Sequence, residues 1–134
     1  MRPVKLTSKV FDIILQYCNE KPTLVFCPTR KGAQDTALKL AETVSKAGAK
    51  NPFIKTEEQR VRLQAAGAET NDKNMQSCIP FGVGFHSGGV GFADRGLVEG
   101  LFLKGDLPVL CTTMTLAHGM NLPAHLVVIK STQS

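Results

Sequence analysis

Hydrophobic and polar positions along the chain change period several times, and each change marks an element. Phe11, Ile14, Leu15 and Cys18 fall at i, i+3, i+4 and i+7, which predicts an amphipathic helix over residues 8–18 with Thr7 or Ser8 as its cap. Lys21-Pro22 breaks it. Thr23-Leu24-Val25-Phe26-Cys27 is continuously apolar after its first residue, the pattern of a strand covered on both faces. Pro28-Thr29-Arg30 reads as a turn, and Ala33, Ala37, Leu40, Ala41 and Val44 trace one face of a helix over 31–46 that Gly48 should end.

Residues 51–80 read as a helical insertion: Thr56-Glu57-Glu58-Gln59 has the form of a capping box, and a second short helix precedes Ile79-Pro80. Gly82-Val83-Gly84-Phe85 is a thin strand leading into His86-Ser87-Gly88-Gly89. Val98, Leu101 and Phe102 mark a helix over 92–103 closed by Gly105, and strands follow at Val109–Cys111 and Leu126–Ile129. Strands separated by helices imply an α/β fold with a mainly parallel sheet and right-handed crossovers. Ser131–Ser134 follow the last strand directly, as if the sheet were incomplete at its C-terminal edge.

One domain is expected from 134 residues, and 43% hydrophobic with 20% charged residues is ordinary for a globular domain. The net charge of +5 is unevenly placed: residues 1–65 hold 12 Lys/Arg against 6 Asp/Glu, residues 66–134 hold 4 against 5. The basic excess in the first half suggests one region that faces a polyanion. Cys18, Cys27, Cys78 and Cys111 are far apart with no metal-ligand spacing, which fits a reducing compartment. No run approaches membrane-spanning length, so no membrane partner is expected.

Candidate chemistry begins with absences. The sequence has no G-x-x-x-x-G-K-[S/T] phosphate loop and no acidic D-E-x-[D/H] segment for magnesium, so it does not by itself hydrolyse a nucleoside triphosphate in the P-loop manner. Three positive features follow in order. Leu24–Lys31 is a strand ending in a hydroxyl, a guanidinium and an ammonium at a helix start, where free N–H groups and the helix dipole favour an anion. Gly84-Phe85-His86-Ser87-Gly88-Gly89 leads to Asp94-Arg95, Glu99 and Phe102; its small residues let a backbone approach closely, although His86 alone reads as a core histidine on a tight loop. The run from Val109 to Ala124 passes from an apolar strand through Thr112, Thr113 and Thr115 to Gly119, Asn121 and Pro123-Ala124, a polar shelf at the carboxyl end of a strand, where open α/β sheets bind ligands.

Together these segments resemble the second RecA-like domain of superfamily 2 helicases of the superkiller-type branch. The family pattern has a V-F-x-P-[S/T]-R-K strand and turn, a G-x-x-H-H-A-G segment leading to D-R-x-x-x-E-x-x-F, and a threonine-rich motif V. Asp106–Leu110 and Leu122–Lys130 are most similar to the meiotic crossover helicases. The resemblance implies that Thr29, Arg30, Lys31, Gly88, Thr112, Thr113 and Thr115 grip nucleic-acid phosphates and that Gly119 and Asn121 face ATP. It implies ATP with Mg2+ held mainly by an absent first RecA-like domain, DNA as partner alongside further helicase domains, and a nuclear location.

The sequence departs from the pattern at Ser87-Gly88, where the family has His-Ala, and at Gly96, where it often has Lys. No arginine follows Arg95, so the Q-x-x-G-R-x-G-R segment carrying the arginine finger is missing. The expectation is therefore residues 1–134 of a truncated second motor domain, part of an ATP hydrolase and inactive alone. The rival readings are a non-catalytic RecA-like module that binds nucleic acid or protein, and a small nucleotide-binding enzyme of flavodoxin-like layout.

Overall fold

A computed structural model describes residues 11–12, 14–15, 21–46, 51–86, 91–113 and 126–129. Residues 11–12 and 14–15 are helical, with Ile14 buried; the rest of the helix expected over 8–18 lies outside the described residues. Strand β1 is Thr23–Cys27, followed by helix α1 (Arg30–Ser45). Helices α2 (Glu57–Glu69) and α3 (Lys73–Cys78) and a 3-10 turn (Ile79–Phe81) lead to β2 (Val83–His86). Helix α4 (Phe92–Lys104), β3 (Val109–Thr113) and β4 (Leu126–Ile129) complete the order.

The four strands form one sheet in the order β2-β3-β1-β4, and every neighbouring pair is parallel. Parallel neighbours need crossovers; among the described residues helices supply those from β1 to β2 and from β2 to β3. Strand β1 lies inside the sheet with Leu24, Val25 and Cys27 buried, as its unbroken apolar run requires. The α1 stripe is buried as its period demands: Ala33, Ala37, Leu40, Ala41 and Val44 line the core and Thr36 joins them. Helix α1 ends at Ser45 with Lys46 as C-cap; Gly48, the expected stop, lies outside the described residues.

Residues of β2 divide between the two faces of the sheet by the two-residue period of a strand. A Cβ on Gly84 would stand 2.7 Å from Leu107 Cδ2 and 3.3 Å from Val98 Cγ1. Glycine there lets α4 and the segment after it lie close on the sheet, and the next residue on that face is His86. The strand begins one residue later than its composition suggests. Gly82 has φ +90°, a conformation that favours glycine, and acts as the C-cap of the 3-10 turn instead. Gly105, at φ +86°, closes α4 one residue beyond the expected end.

Segment 51–80 does begin its first helix at the Thr56 cap: Thr56 Oγ1 accepts from Gln59 N at 3.0 Å. Gln59, buried, accepts from Lys55 N and donates from Nε2 to Phe53 O at 3.0 Å and to Asp106 O at 2.8 Å. Arg62 reaches the same residue with a two-pronged contact, Nε to Asp106 Oδ2 at 2.8 Å and Nη2 to Oδ1 at 2.9 Å. Two side chains of α2 thus hold the segment to the turn between α4 and β3. Hydrogen bonding to Asp106 also raises the Arg62 pKa above its ordinary value, although burial works against it.

Candidate nucleic-acid interface

Parallel pairing sets the carboxyl ends of β1 and β3 side by side. In register, Phe26 faces Thr112 and Cys27 faces Thr113, while His86 at the end of β2 stands beside Thr112. The turn Pro28-Thr29 and the first turn of α1 follow directly from Cys27, so the first candidate segment and the described start of the third, Val109–Thr113, end at one rim of the sheet.

Thr29 is exposed, extended at φ −132° and ψ 160°, and caps α1 by accepting from Gly32 N at 2.9 Å. Gly32 fits this cap: a Cβ there would stand 3.0 Å from Thr29 Oγ1. No acidic residue occupies the first turn of α1. Instead Arg30 and Lys31, both exposed, add two cations to the positive end of the helix dipole. Cations there are disfavoured, by about 0.3–1 kcal/mol each when exposed, and an anion at the rim would reverse that penalty. Lys31 is already engaged with Asp35 at 3.2 Å, an exposed pair one turn along the helix. Arg30 has no carboxylate partner among the described residues.

Thr112 and Thr113 part company. Thr112 has no exposed surface, and its hydroxyl donates to Thr113 O at 3.4 Å, so its side chain is not presented at the rim in this structure. Its neighbour, on the opposite face by the strand's pleat, is half-buried. Gly88, Thr115, Gly119 and Asn121 lie outside the described residues.

The middle segment contributes a pair that the sequence did not announce. His86 is 1% exposed and its Nε2 contacts Glu99 Oε2 of α4. Glu99 ends the D-R-x-x-x-E pattern 13 residues after His86, but nothing local links a strand-end histidine to a mid-helix glutamate. Asp94, also buried, accepts from Asn71 N at 3.4 Å and so faces the 51–80 segment. Cys78 is a protonated thiol: burial first, then the nearby Asp72 carboxylate, pushes its pKa from 9.0 up to about 12.

No family model matches the chain. Comparison with individual proteins is more informative. The sequence is 56% identical to the "ATP-dependent DNA helicase homolog MER3" of Arabidopsis thaliana in an alignment that takes in 99% of this chain and 14% of that protein. It is 37% identical to the "ATP-dependent DNA helicase MER3" of Saccharomyces cerevisiae over 95% of this chain and 10% of that protein. It is 34% identical to the Arabidopsis "DExH-box ATP-dependent RNA helicase DExH14" over 96% of this chain and 6% of that protein. The chain therefore spans a small part, 6% to 14%, of these relatives' lengths.

Proposed function

This chain is homologous, over nearly its whole length, to one segment of the MER3 helicases and their superkiller-type kin, and from that kinship we propose that it is the second RecA-like unit of an ATP-dependent DNA helicase motor. In this reading the unit grips the DNA backbone at the sheet rim and closes on ATP held by a first RecA-like domain. DNA is favoured over RNA because identity is higher to the relatives named as DNA helicases, 56% and 37%, than to the one named as an RNA helicase, 34%. A nuclear, meiotic setting follows from the same kinship.

The observation that carries this reading is the Cys27–Thr113 register, which sets the Thr29-Arg30 turn beside the end of β3. Exposed Thr29 and Arg30 at an uncompensated helix start, with Thr113 alongside, can donate to successive phosphates without reading bases. Lys31 would contribute by exchanging Asp35 for a phosphate. Gly88 and Thr115 are assigned to the same strand contact, and Gly119 and Asn121 to the nucleotide. Buried Thr112 is assigned a supporting place: it holds the end of β3 rather than a phosphate.

Among the described residues no three His, Cys, Asp or Glu side chains gather as metal ligands. From the kinship alone, ATP with Mg2+ is held mainly by the first RecA-like domain in this proposal. Titration of the chain with a labelled single strand at two salt concentrations tests the reading. Binding that weakens steeply with salt is expected for a phosphate grip, and salt-insensitive or absent binding would exclude it.

A further inference from the structure

His86 is the one histidine among the described residues, it is almost completely buried, and the grip outlined above makes no use of it. Its Nε2 faces the Glu99 carboxylate, whereas Nδ1 is buried with no hydrogen-bond partner among the described residues. A ring nitrogen facing a carboxylate carries a proton, so the geometry places a ring hydrogen on Nε2, directed at Glu99.

An aliphatic side chain would pack α4 on the sheet at lower desolvation cost, so the pair needs a reason other than burial. What it adds is direction. Close packing of Gly84 against Val98 and Leu107 brings α4 close to the sheet through non-directional apolar contact. The His86–Glu99 bond adds a directional contact, at the level of Thr112 and one residue short of the Cys27–Thr113 row. Glu99 is two-thirds buried, its side chain 34% exposed, so water competes only partly for its carboxylate.

We infer that His86 and Glu99 are a positioning pair that sets α4 in register with the rim carrying Thr113 and the Thr29-Arg30 turn. The inference rests on the DNA-gripping role proposed above. Neither residue touches the strand; their effect on binding is transmitted through the placement of α4 and the end of β3.

The test compares Glu99→Gln, which keeps an acceptor for Nε2–H, with Glu99→Leu, which removes it. Each chain is titrated with fluorescein-labelled oligothymidine and checked for folding by circular dichroism. The glutamine variant is expected to bind as wild type does, and the folded leucine variant about tenfold more weakly, about 1.4 kcal/mol. Equal binding by the leucine variant, or equal loss by both, would overturn the pair's role while leaving the DNA reading intact. If the wild-type chain itself shows no salt-dependent binding, the DNA reading falls and this role with it. Should the leucine variant fail to fold, His86→Gln decides: its amide can still donate to Glu99, so binding should survive, and loss of binding in the folded protein overturns the pair. Nitrogen-15 spectra of the His86 ring give an independent readout. A hydrogen on Nε2 is expected, and a bare Nε2 contradicts the geometry.

Discussion

Cys27 and Thr113 end neighbouring parallel strands at the same level of the sheet, although 86 positions separate them in the chain. That row is the structural basis for treating two distant sequence segments as one surface. Cys27 itself is buried; Pro28, Thr29 and Arg30, which follow it, are exposed, and the last two are polar. The strand ends thus deliver Thr29 and Arg30 to the solvent side of the rim and Thr113 to its edge.

Arg30→Ala should weaken single-strand binding and lower the slope of log affinity against log salt by about one phosphate contact. Arg30 makes no ion pair among the described residues and stands at the positive end of α1, so its loss should not lower the melting temperature and should raise it slightly. An unchanged slope would remove Arg30 from the grip. Lys31→Ala should change the slope less, since that ammonium must first give up Asp35.

Thr29→Ala should affect both folding and binding, because one hydroxyl serves as helix cap and candidate phosphate donor. Loss of the cap costs about 0.5–2 kcal/mol of stability. Thr29→Ser keeps the hydroxyl and should restore both. Denaturant titration of the two variants, beside strand binding, separates the effects; a serine variant as unstable as the alanine one would contradict the capping account.

Gln59→Leu should be among the more damaging changes outside the rim. It removes the side-chain acceptor of the Lys55 N–H and takes one donor from each of the buried carbonyls of Phe53 and Asp106. Each group left without a partner costs about 1–3 kcal/mol, and the sum is expected to exceed about 2 kcal/mol. Urea unfolding measures it, and a loss below about half a kcal/mol would show that water reaches these groups.

Gly84→Ala places a methyl group 2.7 Å from Leu107 Cδ2 and should destabilise the chain by about 1–3 kcal/mol through overpacking. Shortening the obstacle with Leu107→Val should offset part of that loss. A double-mutant cycle without coupling would indicate that the clash is relieved elsewhere.

Cys78 gives a pH dependence with a definite sign. Its folded pKa is raised from 9.0 to about 12, so the folded chain retains a proton that the unfolded chain releases. The associated stability is complete below 9.0 and is lost as pH rises from there toward about 12. Cys78→Ala should flatten the fall in stability across that alkaline window. In the wild-type chain, thiol-reactive reagents near neutral pH should modify Cys78 only as fast as the structure opens.

The period of apolar residues carried most of the secondary structure. An unbroken apolar run made β1, a 3.6-residue stripe made α1, and Gly105 closed α4, because each reflects a local rule about which face leaves water or which backbone angle a residue tolerates. The Thr56 cap was equally local. The boundary of β2 was missed by one residue because composition does not distinguish a strand glycine, Gly84, from a turn glycine at positive φ, Gly82.

Sequence alone therefore determined the elements, their parallel character and the polar ends of two strands, since these depend on residues a few positions apart. Tertiary structure decided which strands became neighbours and which threonine was hidden: Thr112 and Thr113 are identical in chemistry, and only the layers packed on the sheet's two faces bury one completely and leave the other half-exposed. The same holds for His86 with Glu99 and for Gln59 and Arg62 with Asp106. A periodic pattern records that a face is covered, but the partner across the gap is chosen by the packing of the whole chain.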